Sequence, residues 1–587
     1  MANHGPSDFS PGACTRLLAG GRHGELAQIL LGQLDRVAQS SVYRRTDAAV
    51  HFADVFVQTL TYCFCQPDFQ FDRQAELRFV AHNATLANLA AISRYGTTDI
   101  ALGILANEKS LLAKILALYS PLSSFDFNAR VFFDADPVLA SHWWFAFLET
   151  RYLASARVLA RLRAHFAHID ERLTLTGTKF NLPYFLVTYA APKSEKDVKE
   201  RINRLIREHW PAPPGKPGPS SPKRILVVSA FWNRSHSVWR TVHKYVAGLA
   251  GKYELVLAAL EPPHPKDDTG VFDRVVRVDP RCGNDDIRTL RDLGARVAIF
   301  PDIGMSPASI VLANQRLAPI QIMAQGHPVS TFGGEIDYYL GGRDIEDAKT
   351  ARNYSERLAL ISGRGVDPTV PGGPFAPVAK SEDPLVVSCP WAVVKTNAEI
   401  VALLGRIAEG VRRPVHFHFM PGAGLTRCGH VPFEDILRQS LAGSTVTVHP
   451  NLGVEKYLAA INGSHLALDS FPFGGLNTVV DALGLGVPFV AYEGTRAFNR
   501  FGAHFLRRAG LAELVAGDDE GYVAKAVAIL ADRDYRRALE RKIRAVNRRE
   551  ELYADGAADF PKLIDYLIAN HERLARDKSR KPIWVGK

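Results

Sequence analysis

The sequence predicts an α-helical region followed by two α/β lobes, each built on a doubly wound parallel sheet. Three observations indicate this architecture. Apolar residues recur at helical spacing up to residue 208, a proline-rich break follows at 209–223, and short apolar runs then alternate with helix-length segments. Such alternation is typical of βαβ units. The chain has 587 residues, enough for about three to five domains.

The region 1–208 is predicted to form an all-α domain. In the stretch that begins at Arg151, apolar residues lie three to five positions apart, close to the period of one helix face: Leu153, Val158, Leu162, Phe166 and Ile169. Similar patterns occur near 24–37, 47–62, 76–92, 107–118 and 196–208. The region shows no repeat of about 34 residues, which disfavours a TPR solenoid.

The break at 209–223 is predicted to be a linker. It reads HWPAPPGKPGPSSPK, with six prolines and two glycines. Proline lacks a backbone donor and has a fixed φ, so this run fits neither the interior of a helix nor a central strand. The linker therefore separates the helical domain from the α/β part.

Two lobes follow the linker. The first, 224–370, contains the valine-rich run RILVVSAF and then the strand patterns YELVLAAL, VVRVDP, ARVAIFP and IQIMAQG. After a looser stretch at 363–384, the second lobe, 380–587, repeats the rhythm with PLVVSCP, RPVHFHF, STVTVHP, HLALDSF and VPFVAYE, and it ends in helices. Two Rossmann-like lobes indicate a GT-B glycosyltransferase fold, in which a nucleotide sugar binds at the carboxyl ends of the strands.

Composition narrows the functional class. Hydrophobic residues make up 47% and charged residues 22%, which is ordinary for a globular protein. No window approaches the ~18 apolar residues of a spanning helix. The N-terminal segment lacks a basic start followed by an apolar run, so we expect no signal peptide. Six scattered cysteines predict no disulfide framework and favour a reducing cytoplasm.

The charge balance, 71 basic and 61 acidic residues, gives a net charge of +10. Such an excess suits anionic ligands. One basic run lies in a late helical stretch: Arg533, Arg536, Arg537, Arg541, Lys542, Arg544, Arg548 and Arg549. It is either a solvated helix face or a nucleic-acid patch. A single aromatic residue, Tyr535, lies among these arginines, which does not make a series of stacking platforms, so we expect a solvated face and no nucleic-acid partner.

The most informative segment reads DSFPFGGLNTVVDALGLG. Gly474 and Gly475 precede a helix that is predicted to begin near Asn477. Glycines allow close approach of the backbone to a ligand, and free N–H groups at a helix start attract an anion. Asn477 and Asp481 are four residues apart and share one helix face. An ordinary strand–turn–helix remains an alternative explanation.

Two more residues follow predicted strands of the same lobe. Lys395 lies after PLVVSCP, at a strand–helix junction, where an ammonium group could neutralise a diphosphate. His449 ends STVTVHP and could meet a nucleotide in the same cleft. An ordinary surface lysine and a structural histidine are the alternatives.

The sequence predicts no metal site. Asp134 and Asp136 form a DxD tripeptide, but it lies in the helical region, far from the second lobe. His416 and His418 share a strand face without a third ligand, and Cys428 with His430 completes no recognised spacing. Positive charge at a leaving diphosphate would then come from Lys395 and a helix dipole.

Several segments, in this order, resemble one family: IVLANQRLAPIQIMAQGHPVSTFGGEIDYYL, VHFHF, TVHPNLGVEKYLAAINGSHLALDSFPFGGLNTVVDALGLGVP and RFGAHFLRRAGLAE. They are similar to the bacterial cytoplasmic protein N-glucosyltransferases that modify adhesins, which share glycosyltransferase family 41 with eukaryotic O-GlcNAc transferase. The resemblance covers 222–550, and the helical domain resembles that of the bacterial branch.

The resemblance implies roles for individual residues. Lys395 would contact the UDP diphosphate, Asn477 the phosphate and Asp481 the ribose. His449, Gly474, Gly475 and Thr478 would complete the UDP-sugar site. On the acceptor side the resemblance places His236, in RSHSVWR, and His327, in GHP. Because imidazole titrates near neutral pH, His327 is the leading candidate for the residue that removes the acceptor proton.

Two positions depart from the family pattern. The glycine loop continues as Gly475-Leu476-Asn477-Thr478, where the family usually has Asn-Thr-Asn-Gly, so one phosphate contact is lost. Ala392 stands where the family tends to carry a hydroxyl group. Both differences bear on donor affinity and donor identity.

The resemblance implies an inverting, metal-independent enzyme without a cofactor. It would move glucose from UDP-glucose to asparagine in Asn-X-Ser/Thr sequences of an acceptor polypeptide, such as an adhesin before export. Two alternatives remain open: a same-fold enzyme that acts on serine or threonine hydroxyls or on a lipid, and a non-catalytic binding protein. Neither Lys395 nor Asp481 is expected in the apolar core.

Overall fold

A computed structural model describes residues 9–40, 44–106, 111–175, 177, 179–213, 220–369, 376–425, 427–546, 548–553, 556–577 and 579–586. The chain divides into two compact units. The first comprises Met1–Gly177, Ala392–Gly405 and Phe419–Asn451, and the second Thr178–Trp391, Arg406–His418 and Leu452–Lys587. Within the predicted linker, residues 214–219 lie outside the described residues, as do 370–375 of the looser stretch.

The first unit is mainly helical. Its N-terminal helices are α1 (Pro11–Ala19), α2 (His23–Gln39), α3 (Asp47–Phe64), α4 (Arg73–Ala81), α5 (Asn83–Ile92), α6 (Asp99–Leu105), α7 (Leu112–Leu118), α8 (Ala129–Ala135), α9 (Pro137–Phe147) and α10 (Ala156–Ala167). Side-chain oxygens of Ser10, Thr46, Asp72 and Ser155 cap four of them by accepting backbone N–H bonds. The predicted all-helical N-terminal region is confirmed.

Later segments of the chain pack into this helical unit. They include α17 (His430–Ser440) and β10 (Thr445–Val448). The ring of Tyr152 contacts that of Phe433, with centroids 6.3 Å apart, and Arg45 pairs with Asp435 at 2.6 Å. The compact units therefore do not follow the predicted domain boundaries, which stay a prediction.

The DxD residues have structural roles. Asp136 accepts the backbone N–H of Leu139 at 2.9 Å to cap α9 and pairs with Arg73 at 2.6 Å. Asp134 pairs with Arg172 at 2.8 Å. Among the described residues, no group of three His, Cys, Asp or Glu side chains could hold a metal ion.

The second unit contains a parallel sheet with the strand order β14-β7-β6-β5-β4-β1-β2-β3. Its strands are β1 (Ser221–Ser229), β2 (Glu254–Ala259), β3 (Arg274–Arg277), β4 (Ala295–Phe300), β5 (Ile320–Met323), β6 (Tyr338–Gly342), β7 (Arg357–Ile361) and β14 (Ile583–Trp584). The helices α13 (Ser237–Ala247), α14 (Asn284–Asp292) and α15 (Pro307–Ala313) connect its central strands. Crossovers of this kind are what parallel pairing requires.

The C-terminal segment returns to this first sheet. Helix α23 (Phe560–Arg576) places Leu563 and Leu567 in the same apolar core as Ile225, and β14 pairs in parallel with β7. The sequence assigns these residues to the second lobe, because periodicity identifies a helix without showing which sheet the helix covers. In the structure this segment packs on the first sheet, and the predicted lobe boundaries stay a prediction.

A second sheet in this unit has the order β9-β8-β11-β12-β13. Its strands are β8 (Leu385–Cys389), β9 (Val415–Phe419), β11 (Leu466–Leu468), β12 (Phe489–Tyr492) and β13 (Val515–Ala516). The helices that follow are α16 (Ala398–Val411), α18 (Val454–Asn462), α19 (Asn477–Gly484), α20 (Phe501–Arg508), α21 (Asp519–Ala531) and α22 (Arg533–Arg544). The division between the units falls inside α16 and β9. Two parallel sheets after a helical region confirm the predicted GT-B class of fold.

Two helices assigned to the N-terminal domain belong to this α/β unit instead. They are α11 (Asn181–Ala190) and α12 (Glu195–His209). Asn203 donates to the carbonyl oxygen of Thr331 at 2.9 Å, and Arg207 donates to that of Gly333 at 2.8 Å. The linker marks the end of α12, but it does not mark the boundary of the compact unit.

The predictions about disulfides, membrane-spanning helices and the basic run can also be compared with the structure. None of the six cysteines forms a disulfide bond among the described residues. In the parts of the chain that the structure covers, no helix is long and apolar enough to cross a membrane. The basic run on α22 is exposed at most positions, as predicted, but Arg536 is buried and pairs with Glu382 at 2.6 Å. The absence of a nucleic-acid partner stays a prediction.

Candidate active site

The predicted site residues fall into both compact units. Lys395 ends a short 3-10 helix, Val393–Lys395, and His449 follows β10; both belong to the first unit. Their predicted roles at the diphosphate and the nucleotide stay predictions. The second unit holds the remaining site residues: His236, His327, Gly474, Gly475, Asn477, Thr478 and Asp481.

The glycine loop is shaped by Asp469, which directly follows β11. Its Oδ1 accepts the backbone N–H groups of Ser470 at 3.0 Å and Gly475 at 2.7 Å. A Cβ at Gly474 would lie 2.9 Å from the carbonyl oxygen of Phe498, and one at Gly475 would lie 2.0 Å from Thr478 Oγ1. Gly474 therefore favours glycine, because a Cβ there would press on fixed backbone, whereas a Cβ at Gly475 would require the Thr478 hydroxyl group to move.

Helix α19 begins directly after this loop. Asn477 is its first residue, and the Asn477 Oδ1 atom is buried without a hydrogen-bond partner among the described residues. Asp481 lies one turn later and is 1% exposed. The start of α19 thus combines free backbone donors with an amide oxygen available for a hydrogen bond.

Asp481 has a partner that the sequence did not identify. Arg240 on α13 donates to both carboxylate oxygens, at 2.7 and 3.1 Å. Burial raises the pKa of Asp481, while the charge of Arg240 and the Tyr457 hydroxyl group act in the opposite direction. The expectation that Asp481 lies outside the core is wrong, and its role at the ribose stays a prediction. A signal was present, since Arg240 lies on the helix that His236 caps, four residues after it.

His327 lies in the loop after β5 and is buried between aromatic rings. It stacks on Phe185 of α11, with ring centroids 4.6 Å apart and planes 27° apart. Its Nδ1 lies 3.3 Å from the carbonyl oxygen of Ile303, and its Nε2 lies 3.5 Å from the Tyr189 hydroxyl group. These partners assign the proton to Nδ1 and leave Nε2 as an acceptor.

His236 caps α13. Its Nδ1 accepts the backbone N–H of Val238 at 3.2 Å, and its ring stacks on Phe231 with centroids 4.3 Å apart. Burial lowers the pKa of His236 to about 4. The ring is therefore neutral at physiological pH, with its proton on Nε2, so it can donate a hydrogen bond to a ligand.

Asp302 is a second residue that sequence reasoning missed. It follows β4, and its Oδ2 accepts from Ser229 Oγ at 2.7 Å and from the backbone N–H groups of Ala230 at 3.0 Å and Phe231 at 3.2 Å. Burial raises the pKa of Asp302 to about 6. The carboxylate fixes the loop that leads to His236, and an acid directly after a buried strand was the available signal.

These features define the class of the protein: a GT-B fold with a glycine loop and a helix start at the carboxyl edge of its second sheet. No family model matches the chain. The structure of a mutant Thermobaculum terrenum O-GlcNAc transferase shares the fold, with a TM-score of 0.60 at 19% identity, over 86% of this chain and 99% of that one.

Curated sequences narrow the relationship further. A UDP-glucose:protein N-beta-glucosyltransferase of Actinobacillus pleuropneumoniae serotype 5b is 26% identical over 538 residues, which are 84% of this chain and 85% of that protein. A probable UDP-N-acetylglucosamine–peptide N-acetylglucosaminyltransferase SPINDLY of Solanum lycopersicum is 25% identical over 37% of this chain and 24% of its own length. The predicted resemblance to bacterial protein N-glucosyltransferases is confirmed.

Proposed function

We propose that this chain transfers glucose from UDP-glucose to asparagine side chains in Asn-X-Ser/Thr sequences of proteins. The observation that carries the proposal is the cradle between β11 and α19. There, a Cβ at Gly474 would lie 2.9 Å from the carbonyl oxygen of Phe498, and Asn477 presents at a helix start an amide oxygen that has no partner among the described residues. The name of the Actinobacillus relatives supports the donor and the protein acceptor.

The donor would bind with its diphosphate at the start of α19. Backbone N–H groups there favour negative charge, and we assign phosphate contacts to Asn477 and Thr478. Asp481 would hold the ribose hydroxyls once Arg240 releases a carboxylate oxygen. Lys395 would neutralise the diphosphate, and His449 would contact the nucleotide.

The reaction is a single displacement. The acceptor amide nitrogen attacks C1 of glucose, the bond from C1 to the diphosphate oxygen breaks, and UDP departs with the electron pair on the opposite face. The configuration at C1 inverts. Charge on the leaving UDP is stabilised by Lys395 and the α19 dipole, so the proposed reaction requires no metal ion and no cofactor.

The amide proton leaves as the new bond forms. We assign its removal to His327, because the contact between Nδ1 and Ile303 orients the ring with Nε2 as the acceptor. An amide nitrogen is a poor nucleophile, so positioning contributes much of the rate. His236 would face the acceptor with its Nε2–H group.

The acceptor is a polypeptide, such as an adhesin, that is glucosylated in the cytoplasm before export. The small number and wide scatter of the six cysteines in the sequence support a reducing compartment.

The test is transfer to synthetic peptides. The full chain is incubated with UDP-glucose, UDP-galactose or UDP-N-acetylglucosamine and a peptide containing Asn-Ala-Thr, Gln-Ala-Thr or Ser-Ala-Thr. Mass spectrometry with electron-transfer fragmentation locates the sugar. We expect one hexose on asparagine with UDP-glucose, and loss of transfer in Lys395→Ala. Modification of serine or threonine instead would identify the O-linked alternative, and no transfer despite UDP binding would overturn the proposal.

A further inference from the structure

A buried ionic cluster links three parts of the second unit that the chain keeps far apart. Glu195, the first residue of α12, is 1% exposed and lies at its centre. Its Oε1 accepts from Thr188 Oγ1 at 2.7 Å and from Lys199 Nζ at 2.8 Å, and its Oε2 accepts from Arg496 Nη1 at 2.6 Å. One carboxylate therefore accepts hydrogen bonds from α11, from α12 and from the loop after β12.

Glu195 is ionised in this cluster. Burial alone raises the pKa of Glu195, but the adjacent charges of Lys199 and Arg496 outweigh burial and lower it to about 2. Burial lowers the pKa of Lys199, and Glu195 opposes that effect. Removing the negative charge would leave two cations facing each other in a region with little solvent.

Lys199 connects the ionic cluster to the loop that contains His327. Its side chain is fully buried, and its Nζ donates to the carbonyl oxygen of Ser330 at 2.9 Å. Ser330 lies three residues after His327. The Lys199 ammonium also lies 5.1 Å from the centre of the Tyr184 ring, whose hydroxyl group donates to Thr331 O at 2.8 Å. The position of the His327 loop thus depends on Lys199.

Arg496 connects the ionic cluster to the glycine loop. Its guanidinium lies 4.9 Å from the centre of the Phe498 ring, and Phe498 stacks on Phe473 with centroids 4.3 Å apart and planes 4° apart. Phe473 directly precedes Gly474. It also stacks on Tyr189, with centroids 4.5 Å apart. Helix α11 therefore contacts both loops, through Phe185 at His327 and through Tyr189 at Phe473.

We infer that Glu195 is a positioning residue that joins the His327 loop of the first lobe to the glycine loop of the second. By bridging Lys199 and Arg496, Glu195 fixes the position of His327 relative to the glycine loop that forms the proposed donor site. The inference rests on the proposed function, because it concerns the alignment of the two substrates. It assigns to α11 and α12 a role inside the catalytic unit.

The test compares Glu195→Gln with Glu382→Gln in the full chain. Both substitutions neutralise a carboxylate that pairs with an arginine at 2.6 Å, but Glu382 pairs with Arg536 and contacts neither loop. For Glu195→Gln we expect a UDP dissociation constant within threefold of wild type and a transfer kcat lowered about 10- to 100-fold, since misplacement by about 1 Å can cost 10²-fold. For Glu382→Gln we expect kcat within twofold of wild type.

Hydrogen exchange provides a readout that does not depend on transfer. In Glu195→Gln, residues 327–332 and 473–476 should exchange faster than in wild type, and in Glu382→Gln they should not. The double variant Glu195→Gln/Arg496→Gln, which replaces the ion pair with two amides, should recover part of kcat.

The outcomes separate the two proposals. Unchanged kcat, unchanged exchange in both loops, or equal loss of UDP affinity and kcat would overturn the inference. If Glu195→Gln does not fold, Glu195→Asp, which retains the charge on a shorter side chain, takes its place with the same expectations. If wild type transfers no sugar, the proposed function fails, and the exchange comparison alone decides the role of Glu195.

Discussion

Replacing Arg240 by methionine should destabilise the second unit, because it leaves the carboxylate of Asp481 buried without its cation. Asp481 is 1% exposed, and Arg240 donates to both of its oxygens. Breaking a buried pair by removing one partner typically costs about 3–5 kcal/mol. Methionine retains an apolar stem of similar length, so most of the loss comes from the charge.

The size of this effect should depend on pH. Burial raises the pKa of Asp481, and the charge of Arg240 opposes that rise. Without Arg240 the native pKa rises further above its unfolded value of about 3.9, so the native state binds the proton more tightly than the unfolded chain. The stability of Arg240→Met should therefore fall as pH rises from the unfolded pKa of Asp481 to its raised native pKa. The loss of stability relative to wild type should be larger at pH 8 than at pH 5.

Urea denaturation followed by tryptophan fluorescence at pH 8 and pH 5 measures the free energy of unfolding. The matched control is Arg240→Met/Asp481→Leu, which replaces both charges by apolar groups. We expect the double variant to recover to within about 1 kcal/mol of wild type, as replaced buried pairs often do. A deficit below about 1 kcal/mol for Arg240→Met at pH 8, or no recovery in the double variant, would refute the reasoning.

Four other results are expected. Lys395→Ala should fold and lose about 10²–10³ in kcat through lost charge stabilisation; near-normal turnover in steady-state assays would remove it from the site. Transfer should survive excess EDTA, and a loss that Mg²⁺ or Mn²⁺ restores would contradict metal independence. Removing residues 1–177 should abolish cooperative unfolding of the remaining chain, because Ala392–Gly405 and Phe419–Asn451 pack with the removed residues. A truncated chain that binds UDP with wild-type affinity in calorimetry would contradict this expectation. Burial lowers the pKa of His236 to about 4. The stability that neutral His236 contributes should therefore be lost as pH falls from about 6.5, the pKa of an unfolded histidine, to about 4. In thermal melts, His236→Asn should lose less stability than wild type over this pH range.

Features that depend only on neighbouring residues could be predicted from the sequence. Valine-rich runs bounded by helical patterns identified most strands of the two sheets, and the order of strand, glycine loop and helix located the turn between β11 and α19 at Gly474, Gly475 and Asn477. The linker at 209–223 was recognisable because proline excludes regular structure locally. Each of these inferences uses only residues within about one element of each other.

The tertiary structure alone decided which distant residues meet. Asp481 lies one turn inside α19, as the pattern predicted, but its charge is held by Arg240, 241 residues earlier in the chain. Glu195 and Arg496 are separated by 301 residues. Helices α11 and α12 join the α/β unit, and α23 with β14 completes the first sheet. Periodicity shows that an element has an apolar face, whereas only packing selects the surface that the face covers and the charge that a buried carboxylate finds there.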